Sequence, residues 1–585
     1  VTEGRQLEGI AASPGVVVGP CTVVDAQRVP IIRRHVPPER VPEELLRLDR
    51  ALAEAKAELE AIEAGLGPEV GADARLLLEA QLLMHGDALL VETARRTLSE
   101  ERIVAEWALR KTVEDFAARL EDASEPYFRA RAQDVRQVGE HVLRVLTGAS
   151  SGLPTFETPR VLVARELSPA DAVRLHASSL LALVTGEGSA RSHTAILARA
   201  LGVPAVVGVS EATARIDPGD VVIVDGLRGE VTIQPTEEEA ARARHRGEAF
   251  AAFQARLKAV EPGQTRCKSG EPVVMAANVE LELELAEVRE RSAEAIGLYR
   301  TEFLYLGRDI APSEHEQAAA YRRIVKRMAP RPVTFRTFDL GGDKLALGID
   351  PGPNPALGLR GLRVAFEHPE LLVTQLRALL RASNAGPVRV LFPMVATLSD
   401  LRRARVLLAR AKEDLEAARV PYGPVPVGCM IEIPSAVLMA EHLAEHCDFF
   451  SVGSNDLAQY TTATDRTDPR VARLGRGLDP SVLKLLKQTR EAAAATGRGL
   501  SLCGDLAASP VALPVLIGLG YRELSMTAQS LPLIREAIGR LEVPRCEELV
   551  DACLREASAD DVERLVIEAF EDTLGDLWKG QGLEL

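Results

Sequence analysis

The hydrophobic pattern changes period twice along the chain, and each change predicts a different architecture. From Gly9 to Val24 short β-type apolar runs are broken by Ser13, Pro14 and Gly15, and Pro30, Pro37, Pro38 and Pro42 then mark a connection. Leu45, Leu48, Leu52, Ala55, Leu59 and Ile62 follow at alternating spacings of three and four. That stripe predicts a long amphipathic helix, because 3.6 residues per turn bring those positions onto one face. Helical patterns continue over 74–98, 101–120 and 133–146, the last striped by Val135, Val138, Val142 and Val145. Four helices joined by short polar turns predict a helical hairpin pair or bundle.

At Pro159 the period shortens. Apolar runs at 161–164, 180–185, 205–209, 221–224 and 230–233 predict strands, with a helix after His193. This is a compact α/β unit that the first 25 or so residues complete, which makes the helices an insertion. Residues 236–260 have helix-forming composition and few large apolar side chains, and predict a solvated linking helix ended by Pro262 and Gly263. Eight strands are then expected at 273–278, 295–300, 333–336, 388–393, 427–432, 449–455, 500–503 and 523–526, alternating with helices. Their rhythm over roughly 300 residues is that of a (β/α)8 barrel. An open doubly wound sheet is the alternative, but no Gly-rich dinucleotide fingerprint follows any of these strands. The expected fold is therefore multidomain α/β: an α/β domain from 1–25 and 148–235, a helical domain inserted at 26–147, a linker at 236–263 and a TIM barrel over 264–585.

Composition narrows the function. A chain of 585 residues exceeds one core, and roughly three or four domains are expected. No run approaches the ~20 apolar residues of a membrane span, and VTEGRQLEGI lacks the basic and apolar regions of a signal peptide. The seven cysteines, at 21, 267, 429, 447, 503, 546 and 553, are scattered and form no CxxC pair. That predicts reduced thiols in a cytoplasmic protein, with neither a disulfide framework nor a zinc site. The net charge of -15 argues against nucleic acid as a partner and requires any anionic substrate to be held by a local cluster of cations.

Candidate chemistry gathers at strand ends. Arg300, Arg336, Glu432, Asn455, Asp456 and Cys503 each stand where an apolar run gives way to a loop, and barrel strand ends converge on one face. Glu432 in GCMIEIP and Asp456 in VGSNDL end adjacent strands, so their carboxylates can share a hard cation such as Mg²⁺. The competing reading is an ion pair with a nearby arginine. Arg300, Arg336, Arg360 and Arg466 can clamp an anion, and Lys344 follows Gly341, Gly342 and Asp343 in a loop suited to phosphate. Cys503, in LCGD, can act as a general acid because an ordinary thiol is mostly protonated at neutral pH, or it is a buried inert cysteine. The other half of the chemistry lies in TGEGSARSHTAILARALGVPAVVGV. Gly186 and Gly188 allow a tight turn, Ser189, Ser192 and Thr194 supply hydroxyls, and His193 opens a helix whose N-terminal amides suit a phosphate on the imidazole. The alternative for His193 is a helix cap or a satisfied hydrogen bond in the core.

The histidine segment, with LYRTEFLYL, FRTFDLGGDK, GCMIEIPSA, FFSVGSNDLAQYTTATDR and LCGDLA in that order, resembles Enzyme I of the bacterial phosphotransferase system over essentially the whole chain. The resemblance implies a swivelling phosphohistidine α/β domain in which His193 accepts a phosphoryl group from phosphoenolpyruvate with Mg²⁺, and then passes it to a histidine of the carrier HPr for sugar uptake. It implies that Glu432 and Asp456 bind the metal. Arg300, Arg336, Asn455 and Arg466 would hold phosphoenolpyruvate, with Lys344 and Arg360 assisting. Cys503 would protonate the enolate, the helical insertion would bind HPr, and the barrel would form a homodimer. The chain departs from the family in reading GSARSHT where members often have GGRTSHT, with Ala190 in the arginine's place and Arg191 after it, and in carrying Gln81 where some members have histidine. Pyruvate phosphate dikinase and phosphoenolpyruvate synthase need an ATP-grasp domain for which these residues leave no room. The nitrogen-regulatory paralogue carries an extra sensory domain. A non-catalytic binding protein would be expected to have lost His193, Glu432 or Asp456.

Overall fold

The computed structural model describes residues 6–24, 31–64, 88–121, 126–148, 158–167, 179–188, 192–200, 202–258, 263–305, 310–341, 354–466 and 470–580, with a few single positions between. Two compact units divide between Gln254 and Ala255.

In the first unit, β1 (Gln6–Glu8), β2 (Ile10–Ser13), β3 (Val16–Val24), β4 (Arg160–Ala164), β5 (Leu180–Thr185), β6 (Ala205–Val207), β7 (Val221–Asp225) and β8 (Glu230–Ile233) form one sheet. Its order is β1-β8-β7-β3-β4-β5-β6-β2, with β3, β4, β5 and β6 parallel. Both faces of the parallel centre are covered, which is why its strands read as continuous apolar runs. Val161 and Val163 face the side covered by Ala212 and Ile216, while Leu162 and Ala164 face Ala195 and Ala198 of helix His193–Ala200. Strand β6 stops two residues short of the expected 209 because Gly208 turns the chain at φ 68°.

Between β3 and β4 lie helices Val41–Ala64, Ala88–Glu101, Ala105–Glu121 and Pro126–Thr147. They share a core of Leu48, Leu52, Ala55, Leu90, Ala94, Leu98, Leu109, Val113, Val138 and Val142, so the expected stripes on the first and last helices face inward. The beginning of the expected 74–98 helix and Gln81 lie outside the described residues. Helix Glu237–Lys258 is mostly exposed, as expected of a solvated connection, but one narrow face of it packs on the first sheet. Ala243 packs on Val16 and Ile223, and Arg246 pairs with the buried Asp225 at 3.0 Å. Alanine needs little depth to pack closely, so the contact leaves no stripe of large apolar residues in the sequence.

The second unit decides the barrel against the open sheet. Strands β9 (Val274–Val279), β10 (Ala295–Arg300), β11 (Val333–Arg336), β12 (Val388–Phe392), β13 (Val427–Ile431), β14 (Phe449–Val452), β15 (Gly499–Leu502) and β16 (Glu523–Met526) close through β16 pairing with β9. Every pair is parallel. Leu298, Leu391, Met430, Phe449 and Cys503 meet in its interior. Outer helices start at legible signals: Ser313 with Glu316 and Thr397 with Asp400 form capping boxes. One strand differs materially from expectation. Strand β14 ends at Val452, and Ser454, Asn455 and Asp456 form the first turn of helix Ser454–Thr462. Ser, Asn and Asp favour helix starts, which competes with the apolar run's extension.

Candidate active site

The histidine segment is built by the turn after β5. Thr185 Oγ1 donates to the carbonyl of Glu187 at 2.7 Å, and Gly188 takes φ 127°. A Cβ at Gly188 would stand 3.1 Å from Ser192 Oγ and 3.2 Å from Val207 Cβ, a tight fit in a backbone conformation that favours glycine. Ser192 Oγ then accepts from the Ala195 amide at 3.4 Å. Ser192 therefore takes the capping position, and His193 is the first residue of the helix. Thr194 is buried and donates to the Leu167 carbonyl. Ser189, Ala190 and Arg191 lie outside the described residues.

On the barrel, the carboxyl ends of the strands bring acids and arginines together. Glu432, just past β13, is fully buried, and its Oε1 accepts from the Met394 amide at 2.6 Å. Met394 takes φ 55°, a conformation costly for a side-chain-bearing residue, and it presents that amide to the carboxylate. Glu432 Oε2 is buried and meets no hydrogen-bond donor among the described residues. A Cβ at Gly453 would lie 2.9 Å from that oxygen, so glycine lets the chain after β14 pass beside the acid. Asp456, buried, receives Arg360 Nη1 at 3.4 Å and lies 3.9 Å from Arg466 Nη2. Asn455 Oδ1 accepts from the Asp505 amide at 2.8 Å, which leaves its NH2 as a donor for a ligand.

The arginines are held in place by acids that sequence reasoning did not single out. Arg336, ending β11, is buried, donates to Glu302 Oε1 at 2.8 Å and lies 3.5 Å from Asp339. Arg360 grips Asp339 through Nε at 3.2 Å and Nη2 at 2.6 Å, and its Nη1 also meets the Tyr460 hydroxyl. Glu302 and Asp339 stand inside the motifs RTEF and RTFDL, two or three residues from an arginine, and that proximity was the available signal. Arg300 pairs with Glu280, and Arg466 lies exposed at the rim. Lys344 falls outside the described residues.

Charge makes this cluster unusual. Among the described residues, the buried carboxylates Glu302, Asp339, Glu432 and Asp456 face one buried guanidinium, Arg336, and one part-buried, Arg360. With all four ionised the buried acids outnumber these two guanidiniums, and burial makes such an excess costly. Burial, then Asp456 and Asp339, push the Glu432 carboxyl up to about 7. Burial works to lower Arg336 and Arg360, but the surrounding carboxylates, Asp339 above all for Arg360 and Glu302 for Arg336, hold both above their ordinary range. A divalent cation would neutralise the excess and give Glu432 Oε2 a partner. No group of three His, Cys, Asp or Glu ligands exists among the described residues. Two carboxylates fit Mg²⁺, which keeps water and substrate oxygens in its remaining positions. Cys503, just past β15, is buried, and burial pushes its thiol up to about 11 despite the opposing influence of Arg336 and Arg300. It is a thiol at neutral pH and therefore able to give a proton. All seven cysteines are free and buried, and no described helix is long and apolar enough to cross a membrane.

Three family models match the chain: PEP-utilising enzyme, N-terminal, at 8–131; PEP-utilising enzyme, mobile domain, at 156–229; and PEP-utilising enzyme, PEP-binding domain, at 254–543. A phosphoenolpyruvate-protein phosphotransferase of Listeria innocua serovar 6a is 38% identical over 96% of this chain and 99% of its own. One from Bacillus subtilis strain 168 is 36% identical over 97% of this chain and 100% of its own. A solution structure of an Enzyme I (nEIt) protein covers 42% of this chain and 99% of its own, at 33% identity and a TM-score of 0.37.

Proposed function

This chain belongs to the phosphoenolpyruvate-protein phosphotransferase family, and on that premise we propose that it moves the phosphoryl group of phosphoenolpyruvate to His193, releases pyruvate, and passes the group on to a histidine of HPr. The observation that carries this reading is the cluster of four buried carboxylates at the barrel's carboxyl face, with Arg336 and Arg360 paired into it and the Cys503 thiol nearby.

Each residue then has a task. Glu432 and Asp456 would hold Mg²⁺, whose charge, when bound, offsets that of the phosphoryl oxygens. Arg336 is pre-set by Glu302 and Asp339 and can meet phosphate without reorganising. Arg300 and Arg466 approach from the more open side, the Asn455 NH2 donates to the substrate, and Lys344 and Arg360 assist. An unprotonated nitrogen of His193 attacks phosphorus, and the enolate leaves with the bonding electron pair. Cys503 then gives its proton to the enolate carbon, which yields pyruvate.

The same reading places HPr on the helical segment 26–147, a homodimer through the barrel, and the enzyme in the cytoplasm in service of sugar uptake. It assigns residues 1–25 and 148–235 to the phosphohistidine domain, 236–263 to the connection and 264–585 to the barrel domain. The test is incubation with labelled phosphoenolpyruvate and Mg²⁺, with and without HPr. The wild-type protein is expected to gain base-stable, acid-labile label and to lose it to HPr, and His193→Ala to gain none. Base-stable label on His193→Ala would remove the assignment.

A further inference from the structure

The interior of a parallel barrel is ordinarily filled by bulky apolar side chains. Leu298, Leu391, Met430 and Phe449 do so here beside Cys503. Ser451 on β14 and Ser525 on β16 are nevertheless fully buried near them, and a buried hydroxyl needs a partner to offset its lost hydration. Ser451 Oγ donates to Cys503 Sγ at 3.4 Å, and that sulfur donates to the Val452 carbonyl at 3.5 Å. Ser525 Oγ donates to Asn278 Oδ1 at 2.7 Å, and Asn278 Nδ2 donates to the Cys503 carbonyl at 2.9 Å. The cysteine is thus held at its sulfur and its carbonyl by a circuit across β14, β15, β16 and β9, which are neighbours in the barrel. On β10, Gly297 leaves the room this requires, since a Cβ there would lie 2.4 Å from Ser525 Oγ.

We propose that Ser451 is the positioning residue for the proton donor: its hydroxyl anchors the Cys503 sulfur so that the S–H is delivered to one face of the substrate's enolate, and it stabilises the thiolate that remains. This rests on the reading of Cys503 as the proton donor. In the step, the S–H bond breaks and its proton bonds to C3. The enolate's π pair forms the C–H bond, the enolate oxygen becomes the carbonyl of pyruvate, and the sulfur keeps its pair as thiolate until water returns a proton. With the sulfur anchored, only rotation about Cβ–Sγ is needed to turn the S–H from Val452 toward the site. A buried thiolate without a donor would be uncompensated, so the O–H···S bond is one that strengthens as charge develops. In keeping with this, the Ser451 hydrogen bond opposes the rise that burial imposes on the thiol.

The test uses the intact protein with Mg²⁺ and HPr. It measures turnover of phosphoenolpyruvate, and separately the stereochemistry of deuteration at C3 when (Z)-phosphoenolbutyrate is turned over in D₂O. Ser451→Ala is expected to lower kcat about tenfold, as loss of one hydrogen bond to a charged group would, with KM within about twofold. It is also expected to scramble the deuterium at C3. Ser451→Cys, which keeps a weak donor in place, is expected to restore part of both. Ser501→Ala removes a neighbouring buried hydroxyl that, among the described residues, bonds the Phe450 carbonyl, and is expected to change neither. Equal defects in Ser451→Ala and Ser451→Cys would mark a packing role and overturn the proposal. So would wild-type behaviour of Ser451→Ala while Cys503→Ala is impaired, and that result would leave Cys503 as the donor. Wild-type behaviour of Cys503→Ala would instead remove the donor reading, and the proposal with it.

Discussion

At the scale of single residues, the site is governed by how much negative charge the barrel end can hold without an ion. Glu432 bears this problem directly, since it is fully buried and its Oε2 meets no donor among the described residues. Its carboxyl is pushed up to about 7, so the folded chain holds that proton more tightly than the unfolded chain does. The group therefore favours folding fully below the ordinary carboxylate range, and the advantage is lost as pH rises through about 7. A divalent ion competes with the same proton. Apparent Mg²⁺ affinity should fall by up to about tenfold per pH unit below about 7 and level off above it, with proton release on binding at acidic pH. Calorimetry in buffers of different ionisation heat measures both, and affinity independent of pH between 5.5 and 8 would contradict it. Glu432→Gln should lose on the order of 10²-fold or more in Mg²⁺-dependent phosphorylation. In the absence of Mg²⁺ at pH 8 it should melt no lower than the wild-type protein, because a destabilising charge has been removed. Arg300, Arg336 and Glu432 were legible in the sequence because each stands where an apolar run gives way to a loop. Glu302 and Asp339 were less so, since what they do depends on arginines reaching them across the barrel mouth.

At the scale of elements, the start of helix Ser454–Thr462 carries the most consequence. It places Asp456 near Glu432 and Asn455 on the Asp505 amide, with Gly453 and Gly504 leaving room around it. A Cβ at Gly504 would stand 2.0 Å from Ser454 Oγ and 2.8 Å from the Ser454 amide, which is backbone and cannot swing aside. Gly504→Ala should therefore shift this helix start, cost about 1–3 kcal/mol of stability, and reduce phosphorylation far more than that loss of folded protein explains. Thermal melts paired with phosphorylation rates at a temperature where both proteins are folded make the comparison; equal rates would show that the helix start tolerates the shift. By contrast, Ser313→Ala breaks a capping box remote in sequence from every proposed ligand, and should cost about 1 kcal/mol with phosphorylation rate unchanged.

At the scale of the whole molecule, the proposed chemistry is divided between two compact units, with His193 in the first and the carboxylate cluster in the second. Each has its own core, so each should fold alone. The packing of helix Glu237–Lys258 on the first sheet sets where to cut: a fragment ending at 240 would lose Ala243 and the Arg246 pair to Asp225, whereas 1–258 keeps them. The 1–258 fragment should accept phosphate from phospho-HPr and none from phosphoenolpyruvate, and 263–585 should bind phosphoenolpyruvate with Mg²⁺ yet retain no phosphate. A two-substrate labelling assay on the purified fragments reads both, and label from phosphoenolpyruvate on 1–258 alone would place all the chemistry in the first unit. Sequence by itself determined what depends on local periodicity and residue chemistry: the helical stripes, the eight barrel strands to within a few residues, and the acids and arginines at their ends. Tertiary structure alone decided what depends on meetings between distant residues. Only strand pairing could close β16 onto β9, because a parallel strand's own pattern is the same in a barrel and in an open sheet. Only three-dimensional packing could show alanines seating one face of a helix that reads as solvated, and a serine hydroxyl resting on the Cys503 sulfur. Each of those rests on a neighbour tens to hundreds of positions away, and no local pattern carries that information.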